Sequence, residues 1–146
     1  IPSDSRISSL HESEIFTKFL ETLPKEYDLV LLDTPSTIDQ RLVMALVVSD
    51  LILIPVSPNL HSIRGANQVR KIAPDKSIFG FKVEIRSDAD TWDDSIEYLD
   101  GLIPDSELVD RALSDTSSVI TLNNQSEIAS AYRELAYSLL EKLELI

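Results

Sequence analysis

Cysteine is absent from the 146 residues. Disulfides and thiolate metal sites are therefore excluded, and the cytosol is the expected compartment. The only two histidines, His11 and His61, lie far apart in the sequence, which disfavours a histidine-rich metal site. No apolar run approaches the ~20 residues that span a bilayer, and no signal peptide is visible, so no membrane association is expected.

Basic residues are scarce, with 13 lysines and arginines against 25 acidic residues and a net charge of −12. This balance disfavours nucleic-acid binding by the chain as a whole. The charge is uneven, however. Residues 64–86 carry a net +4, so the remainder carries −16, and residues 88–110 hold nine acids and no base. Two solvated faces of opposite sign are one interpretation, and a DNA-facing basic patch is the other.

The length and the 43% hydrophobic content fit one globular α/β domain over residues 1–146. Two strands are predicted at Asp28–Leu32 and Leu51–Ile54. The first contains the aliphatic run Leu29–Leu32 and the second is aliphatic throughout, which is typical of strands buried on both faces of a parallel sheet. Alternation over Ile78–Ile85 predicts a half-exposed strand near a sheet edge. Gly101–Pro104 is a short fourth strand. Strands that alternate with helices predict a three-layer, doubly wound sheet that is mostly parallel.

Capping signals and helical periodicity predict the helices between these strands. Ser9 and Glu12 form a capping box before a helix that Pro24 ends, and Thr37 is predicted to begin a second helix that runs through Val48. Further helices are predicted over residues 60–72, after Thr91 with Trp92, Ile96 and Leu99, after Ser106, and from about Ser126 to the end of the chain.

The aliphatic run at Leu29–Leu32 ends in Asp33-Thr34-Pro35. A strand that ends in aspartate delivers a carboxylate to the ligand edge of a parallel sheet, where it can hold a magnesium-bound water, as a Walker B strand does. An aspartate that only caps the next turn is the alternative, and these residues alone leave both interpretations open.

The wider sequence resembles the ParA/MinD family of deviant Walker ATPases. Tyr27-Asp28, Asp33-Thr34-Pro35, Ser49-Asp50, Ile54-Pro55-Val56 and Pro58 follow the family's order and spacing, and Ala131–Leu135 matches its tail helix. The absence of a closing basic amphipathic helix favours ParA-type partition proteins over MinD. The resemblance implies a P-loop NTPase-like fold, ATP and Mg²⁺ as cofactors of the intact protein, and nucleotide contacts by Asp33, Thr34, Pro35, Pro104 and Asp105, with Asp33 on the metal side through water.

The family's Gly-rich Walker A loop does not occur in these residues. The fold is therefore expected to be incomplete at its N-terminal side, and the chain alone is expected not to hydrolyse ATP. In the family the missing strand lies between the two aliphatic strands. Either the sequence is the C-terminal part of a longer ATPase, as its start at Ile1 hints, or the two strands pair directly.

By resemblance, the parent protein would be a partition ATPase that forms an ATP-dependent homodimer, binds nonspecific DNA and meets a ParB-type partner in the cytoplasm. Charge alone selects the candidate DNA-facing residues Arg64, Arg70, Lys71, Lys82 and Arg86. A non-catalytic interaction module that has lost nucleotide binding is the alternative. A metal site at Asp88, Asp90, Asp93 and Asp94 lacks EF-hand spacing, and no catalytic partner can be placed near His61.

Overall fold

The computed structural model describes residues 10–84 and 92–146. In chain order, its helices and strands are α1 (Leu10–Glu21), α2 (Gln40–Val48), β1 (Leu51–Val56), α3 (Leu60–Ile72), β2 (Ser77–Val83), β3 (Tyr98–Ile103), α4 (Glu107–Ser114), α5 (Val119–Leu122) and α6 (Glu127–Lys142).

The three strands form one parallel sheet in the order β1-β2-β3. Leu51 lies opposite Ser77 in the first pair, and Lys82 lies opposite Leu102 in the second. The register shifts between Gly80 and Lys82, so β2 carries an irregularity on the side of β3. The parallel sheet with its helices confirms the α/β prediction.

Helices cover both faces of the sheet, because successive side chains of each strand point to opposite sides. On one face, Ile52 packs with Leu42 and Leu46 of α2 and with Ala73 after α3. On the opposite face, α6 contributes most of a larger cluster, whose buried members are Leu99, Ile103, Ile128, Ala131, Leu135 and Leu139. The layers are therefore helix, sheet and helix.

The larger core cluster depends on α6. Ile128 is almost completely buried, and burial of a side chain of this size contributes about 1.5–3 kcal/mol to stability. Ser126 caps the helix by accepting a hydrogen bond from the backbone N–H of Ala129. The predicted tail helix is confirmed, as are the helix over Leu60–Ile72 and the helix after Ser106.

The predicted strand at Asp28–Leu32 is wrong, since these residues form no strand and Leu31 is 75% exposed. Among the described residues, β1 pairs only with β2, so the two aliphatic runs do not pair directly. An aliphatic run becomes a strand only where a neighbour accepts and donates its backbone hydrogen bonds. Residues 28–32 have no such neighbour in this sheet.

The edge position predicted for the third strand is also wrong. β2 is the central strand of the described sheet and ends at Val83, while Ile85 lies outside the described residues. The alternation of apolar and charged residues predicted an edge strand, but the charged side chain of Lys82 is covered by aromatic rings. Its ammonium group lies 5.6 Å from the ring centroid of Trp92 and 5.3 Å from that of Tyr98.

No helix forms at residues 92–97, although one was predicted there from Trp92 and Ile96. The carboxylate of Asp93 instead accepts a hydrogen bond from the backbone N–H of Ser95, which stabilises a turn. Leu99, predicted as part of that helix, belongs to β3. The capping residues Ser9 and Thr91 lie outside the described residues.

Gly80 tests how tightly the central strand is packed. A Cβ atom at this position would lie 2.8 Å from side-chain atoms of Ile96 and Tyr98. We expect Gly80→Ala to reduce the free energy of unfolding by about 1–3 kcal/mol, because the packed side chains must move. Urea denaturation monitored by circular dichroism measures this change.

Gly65→Ala is the matched control. Gly65 lies within α3, and a Cβ atom there would meet nothing within 4 Å. This substitution should stabilise the protein by about 0.4–1 kcal/mol through a smaller loss of backbone entropy. Equal effects of the two substitutions would contradict the packing described for β2.

Candidate functional site

The carboxyl ends of the strands define the edge at which ligands bind in parallel sheets. At this edge, β1 continues into residues 57–59, and β3 continues into Pro104 and Asp105. Pro104 is half-buried and Asp105 is exposed. These two predicted site residues therefore lie immediately beyond the end of β3.

The loop after β1 is held by side-chain hydrogen bonds. Asn59 caps α3 by accepting from the N–H of Ser62 at 2.9 Å, and the Ser62 hydroxyl accepts from the N–H of Ser57 at 2.9 Å. Pro58 is buried within this loop. The chain between β1 and α3 is thus fixed where it crosses the ligand edge.

Asp33, Thr34 and Pro35 lie in a segment without regular secondary structure that leads to α2, and no described strand delivers them to an edge. Asp33 and Thr34 are exposed, while Pro35 is half-buried. Asp33 makes no hydrogen bond or ion pair with another described residue. The Asp33 carboxylate is accessible to solvent, but the sheet itself does not bring it to Pro104 and Asp105.

The end of this segment is fixed by the N-cap of α2, which is Asp39 and not the predicted Thr37. One carboxylate oxygen of Asp39 accepts from the N–H groups of Arg41 and Leu42, at 2.9 and 3.2 Å. The other accepts from the Arg41 guanidinium at 3.0 and 2.5 Å. The cap holds the chain six residues after Asp33.

The same contacts shift the pKa values of both Asp39 and Arg41. The side-chain hydrogen bond from Arg41 is the main cause that lowers the pKa of Asp39, and it also raises the pKa of Arg41. The sequence contained a signal for this cap, since aspartate one residue before a helical run is a preferred N-cap.

Lys76 supports the other end of α2. Its ammonium group donates to the backbone carbonyls of Val47 and Ser49, at 2.7 and 2.8 Å. A cation at the C-terminus of a helix satisfies free carbonyls and interacts favourably with the helix dipole. Sequence reasoning missed this contact because Lys76 lies 27 residues or more from its partners.

The candidate DNA-facing residues do not share one environment. Arg64 and Lys71 are exposed on α3. Arg70 instead donates to the side chains of Asn67 and Ser95, at 3.2 and 3.0 Å. Lys82 is half-buried over the two aromatic rings, and Arg86 lies outside the described residues. Two of the five candidates are therefore available on the surface of α3.

Asp93 connects α3 to the turn before β3. It accepts from the side-chain amide of Asn67 at 2.9 Å, and hydrogen bonds from Ser95 and Asn67 lower its pKa. Nearby, burial raises the pKa of Tyr98, whose buried hydroxyl has no hydrogen-bond partner in the described part of the chain. The bond from Asn67 to Asp93 joins α3 to the turn beside Trp92, whose ring covers Lys82.

Of the four aspartates considered as a metal site, only Asp93 and Asp94 are described, because Asp88 and Asp90 lie outside the described residues. Within residues 10–84 and 92–146, no group of three or more potential ligands is placed to hold a metal ion. His61 is exposed in the first turn of α3. In the same ranges, no helix is long and apolar enough to cross a membrane.

The lowered pKa of Asp39 predicts a pH dependence of stability. Because the folded pKa is below the unfolded one, the charged form of Asp39 stabilises the fold above about pH 4, and this contribution disappears as the pH falls through the folded pKa. Asp39→Asn keeps a capping oxygen but loses the charge. It should lower the urea midpoint at pH 7 and progressively less in acid.

Asp50→Asn is the control, since Asp50 is an exposed aspartate after α2 that caps no helix. Its urea midpoint should stay close to that of the unchanged protein at pH 7. A difference between the Asp39→Asn and unchanged proteins that stays constant down to pH 2 would refute the electrostatic role of Asp39.

Comparison with known proteins gives one family match. A family model described as an AAA domain matches residues 3–76, half of the chain, including the Asp33-Thr34-Pro35 motif, β1 and α3. A search of curated proteins found no match. The parallel sheet with helices agrees with the P-loop NTPase-like fold of this family. The chain therefore belongs to a P-loop NTPase-like AAA domain family.

Proposed function

We propose that this chain is part of a ParA-like partition ATPase. The observation that carries the proposal is the AAA domain match over residues 3–76, which includes Asp33-Thr34-Pro35 and the fixed loop after β1. The family resemblance of the motifs from Tyr27 to Pro58 supports the narrower assignment to ParA-type proteins.

The described residues fit the metal side of such a site. In the intact ATPase the Asp33 carboxylate would hold a magnesium-bound water, and Pro104 and Asp105 would border the nucleotide from the end of β3. Bound magnesium would neutralise charge on the phosphates. The N-cap and Lys76 hold α2 at both ends, and this limits the positions that the segment carrying Asp33 can adopt.

The residues of this chain do not fit the phosphate side. A phosphate cradle needs glycines whose backbone N–H groups can approach the anion. None of the three glycines lies in a phosphate-binding loop: Gly65 lies in α3, Gly80 in the central strand, and Gly101 in β3 against α6. The proposal therefore requires a cradle from sequence beyond residues 1–146.

One edge of β1 pairs with no described strand, which leaves room for an additional strand. β1 has an aliphatic sequence and one hydrogen-bonded neighbour within residues 10–84 and 92–146, and residues 29–32 form no strand. Each backbone group that is buried without a partner costs about 1–3 kcal/mol. A strand between these two segments would satisfy both sets of groups and would bring Asp33 to the ligand edge.

Asp33→Asn in the full-length protein tests the assignment. Loss of the carboxylate should reduce the rate of magnesium-dependent ATP hydrolysis by about 10²-fold or more, since the position of the metal would no longer be fixed. The readout is phosphate release, with nucleotide binding measured separately by fluorescence. Glu26→Gln, a substitution in the same exposed segment, is the control and should leave the rate unchanged.

Hydrolysis that is unaffected by Asp33→Asn would contradict the role of Asp33. A full-length protein that binds no nucleotide would instead favour the alternative function, a non-catalytic ParA-like interaction module. The placement of all three glycines outside a phosphate loop is the observation that keeps this alternative open.

The proposal extends to an ATP-dependent homodimer, a ParB-type partner, nonspecific DNA and a cytoplasmic location. Arg64 and Lys71 are the best-placed contacts for DNA phosphates, because both are exposed on one helix. Few phosphate contacts on an acidic protein imply weak binding that depends strongly on salt.

Arg64→Glu tests the DNA contact in the full-length protein with ATP. The substitution should weaken binding to a labelled duplex irrespective of its sequence, and it should reduce the slope of log affinity against log salt by about 1. Fluorescence anisotropy over a salt series measures both quantities. Lys25→Glu makes the same charge change at an exposed turn and should leave the slope unchanged. Absence of ATP-dependent DNA binding would overturn this part of the proposal.

A further inference from the structure

Two grooves adjoin at the amino edge of the sheet, away from the predicted nucleotide site. One has a volume of about 470 Å³ and is lined by the basic residues Arg70, Lys71 and Lys76. The other, of about 160 Å³, lies between α2 and the end of α3. Both are lined by Ala73, Pro74 and Lys76, so they form one continuous surface, which we call the α2–α3 groove.

The α2–α3 groove combines apolar surface with positive charge. Val43, Val47 and Ile72 line its apolar part, and Val47 is 58% exposed. Asp75 is the acidic residue in the lining, so the three bases leave a net charge of +2. Exposed aliphatic side chains do not contribute to binding DNA phosphates, which favours a protein ligand with acidic and aliphatic side chains.

Helix α4 exposes acidic and apolar side chains that are complementary to this groove. Leu108, Val109 and Ala112 face the core, whereas Glu107, Asp110 and Leu113 are exposed on the opposite side. These three lie at i, i+3 and i+6, so Asp110 neighbours each of the other two along one exposed stripe of the helix. Leu113 is 74% exposed. We call Glu107, Asp110 and Leu113 the α4 face.

The charges of the two surfaces are opposite. Residues 107–115 hold Glu107, Asp110 and Asp115 against Arg111, a net charge of −2 that complements the +2 of the α2–α3 groove. Leu113 is complementary to the apolar part of the groove, and the carboxylates of Glu107 and Asp110 are complementary to its basic side chains.

The two surfaces belong to different layers of one molecule. The α2–α3 groove lies on the face of the sheet covered by α2 and α3, while α4 packs against the cluster built on α6. They can therefore meet only between two copies. Such a contact is heterologous, since each copy uses a different surface.

We infer that the α2–α3 groove of one copy binds the α4 face of a second copy. Lys71 contacts the carboxylates of Glu107 and Asp110, and Leu113 enters the apolar part beside Val47. α4 is only about 12 Å long, so the buried area is small and the contact is weak and reversible. This contact needs no nucleotide and differs from the proposed ATP-dependent dimer.

Charge reversal on each surface tests the inference in nucleotide-free protein. Sedimentation velocity over a concentration series should show self-association of the unchanged protein. Lys71→Glu and Asp110→Lys should each weaken it by about tenfold or more, because each places like charges opposite one another. Lys25→Glu and Glu141→Lys make the same charge changes at exposed positions outside both surfaces and should leave self-association unchanged.

Mixing the two variants gives the sharper result. The Lys71→Glu protein retains its α4 face and the Asp110→Lys protein retains its groove, so the two proteins should associate with each other although neither associates with itself. The double variant, with both reversals in one chain, should regain self-association. Circular dichroism melting of each variant verifies that its fold is intact.

Three results would overturn the inference: unchanged protein that stays monomeric throughout the series, single variants that associate as the unchanged protein does, or a mixture in which the two variants do not associate. A labelled DNA duplex is included in the same series. If it binds the unchanged protein and not the Lys71→Glu protein, while self-association is absent, the groove binds nucleic acid instead.

Discussion

Parallel pairing of β2 with strands on both sides is the interaction on which the described fold depends. Ile78 and Phe79 are adjacent in this strand and pack into clusters on opposite faces of the sheet. Each helical layer is therefore attached to the same central backbone. Gly80 lets Ile96 and Tyr98 approach this strand closely, and the turn that holds them is joined to α3 through Asp93 and Asn67. A change at β2 would affect both layers.

The edge of the sheet at β1 has the opposite character, because within the described part of the chain its backbone has a partner on one side only. The aliphatic residues Leu29–Leu31 before Asp33 form no strand and are exposed, although their sequence is typical of a buried strand. Among the described contacts, the N-cap of α2, six residues after Asp33, is the one that fixes the end of this segment. This arrangement connects the proposed nucleotide chemistry to backbone pairing, since a strand at β1 would order Asp33 as well as the sheet.

Charge is unevenly distributed along this chain. Within the basic segment 64–86, the described basic residues that remain exposed are Arg64 and Lys71 on α3, whereas acidic residues dominate the described chain from Asp93 to Asp110. Half of the basic segment is already used within the molecule: Arg70 and Lys76 donate hydrogen bonds, and Lys82 lies over aromatic rings. The number of bases in the sequence therefore overstates the positive surface that a partner meets.

Local signals were sufficient for the elements whose stability comes from capping and one apolar face. The boundaries of α3 and the Ser106 and Ser126 caps follow from residues within one helical turn of each other. The α/β class followed from alternating strands and helices, and the motif around Asp33 pointed to the nucleotide-binding family.

The position of each strand within the sheet could not be predicted from these local signals, because it depends on which other strands pair with it. Residues 29–32 and 51–54 are both aliphatic, yet within the described residues only the second run has a hydrogen-bonded neighbouring strand. Lys82 suggested an edge, yet Trp92 and Tyr98 cover it in the centre of the sheet. Composition and periodicity encode burial and local geometry, whereas strand pairing and side-chain cover arise from contacts between residues distant in the chain.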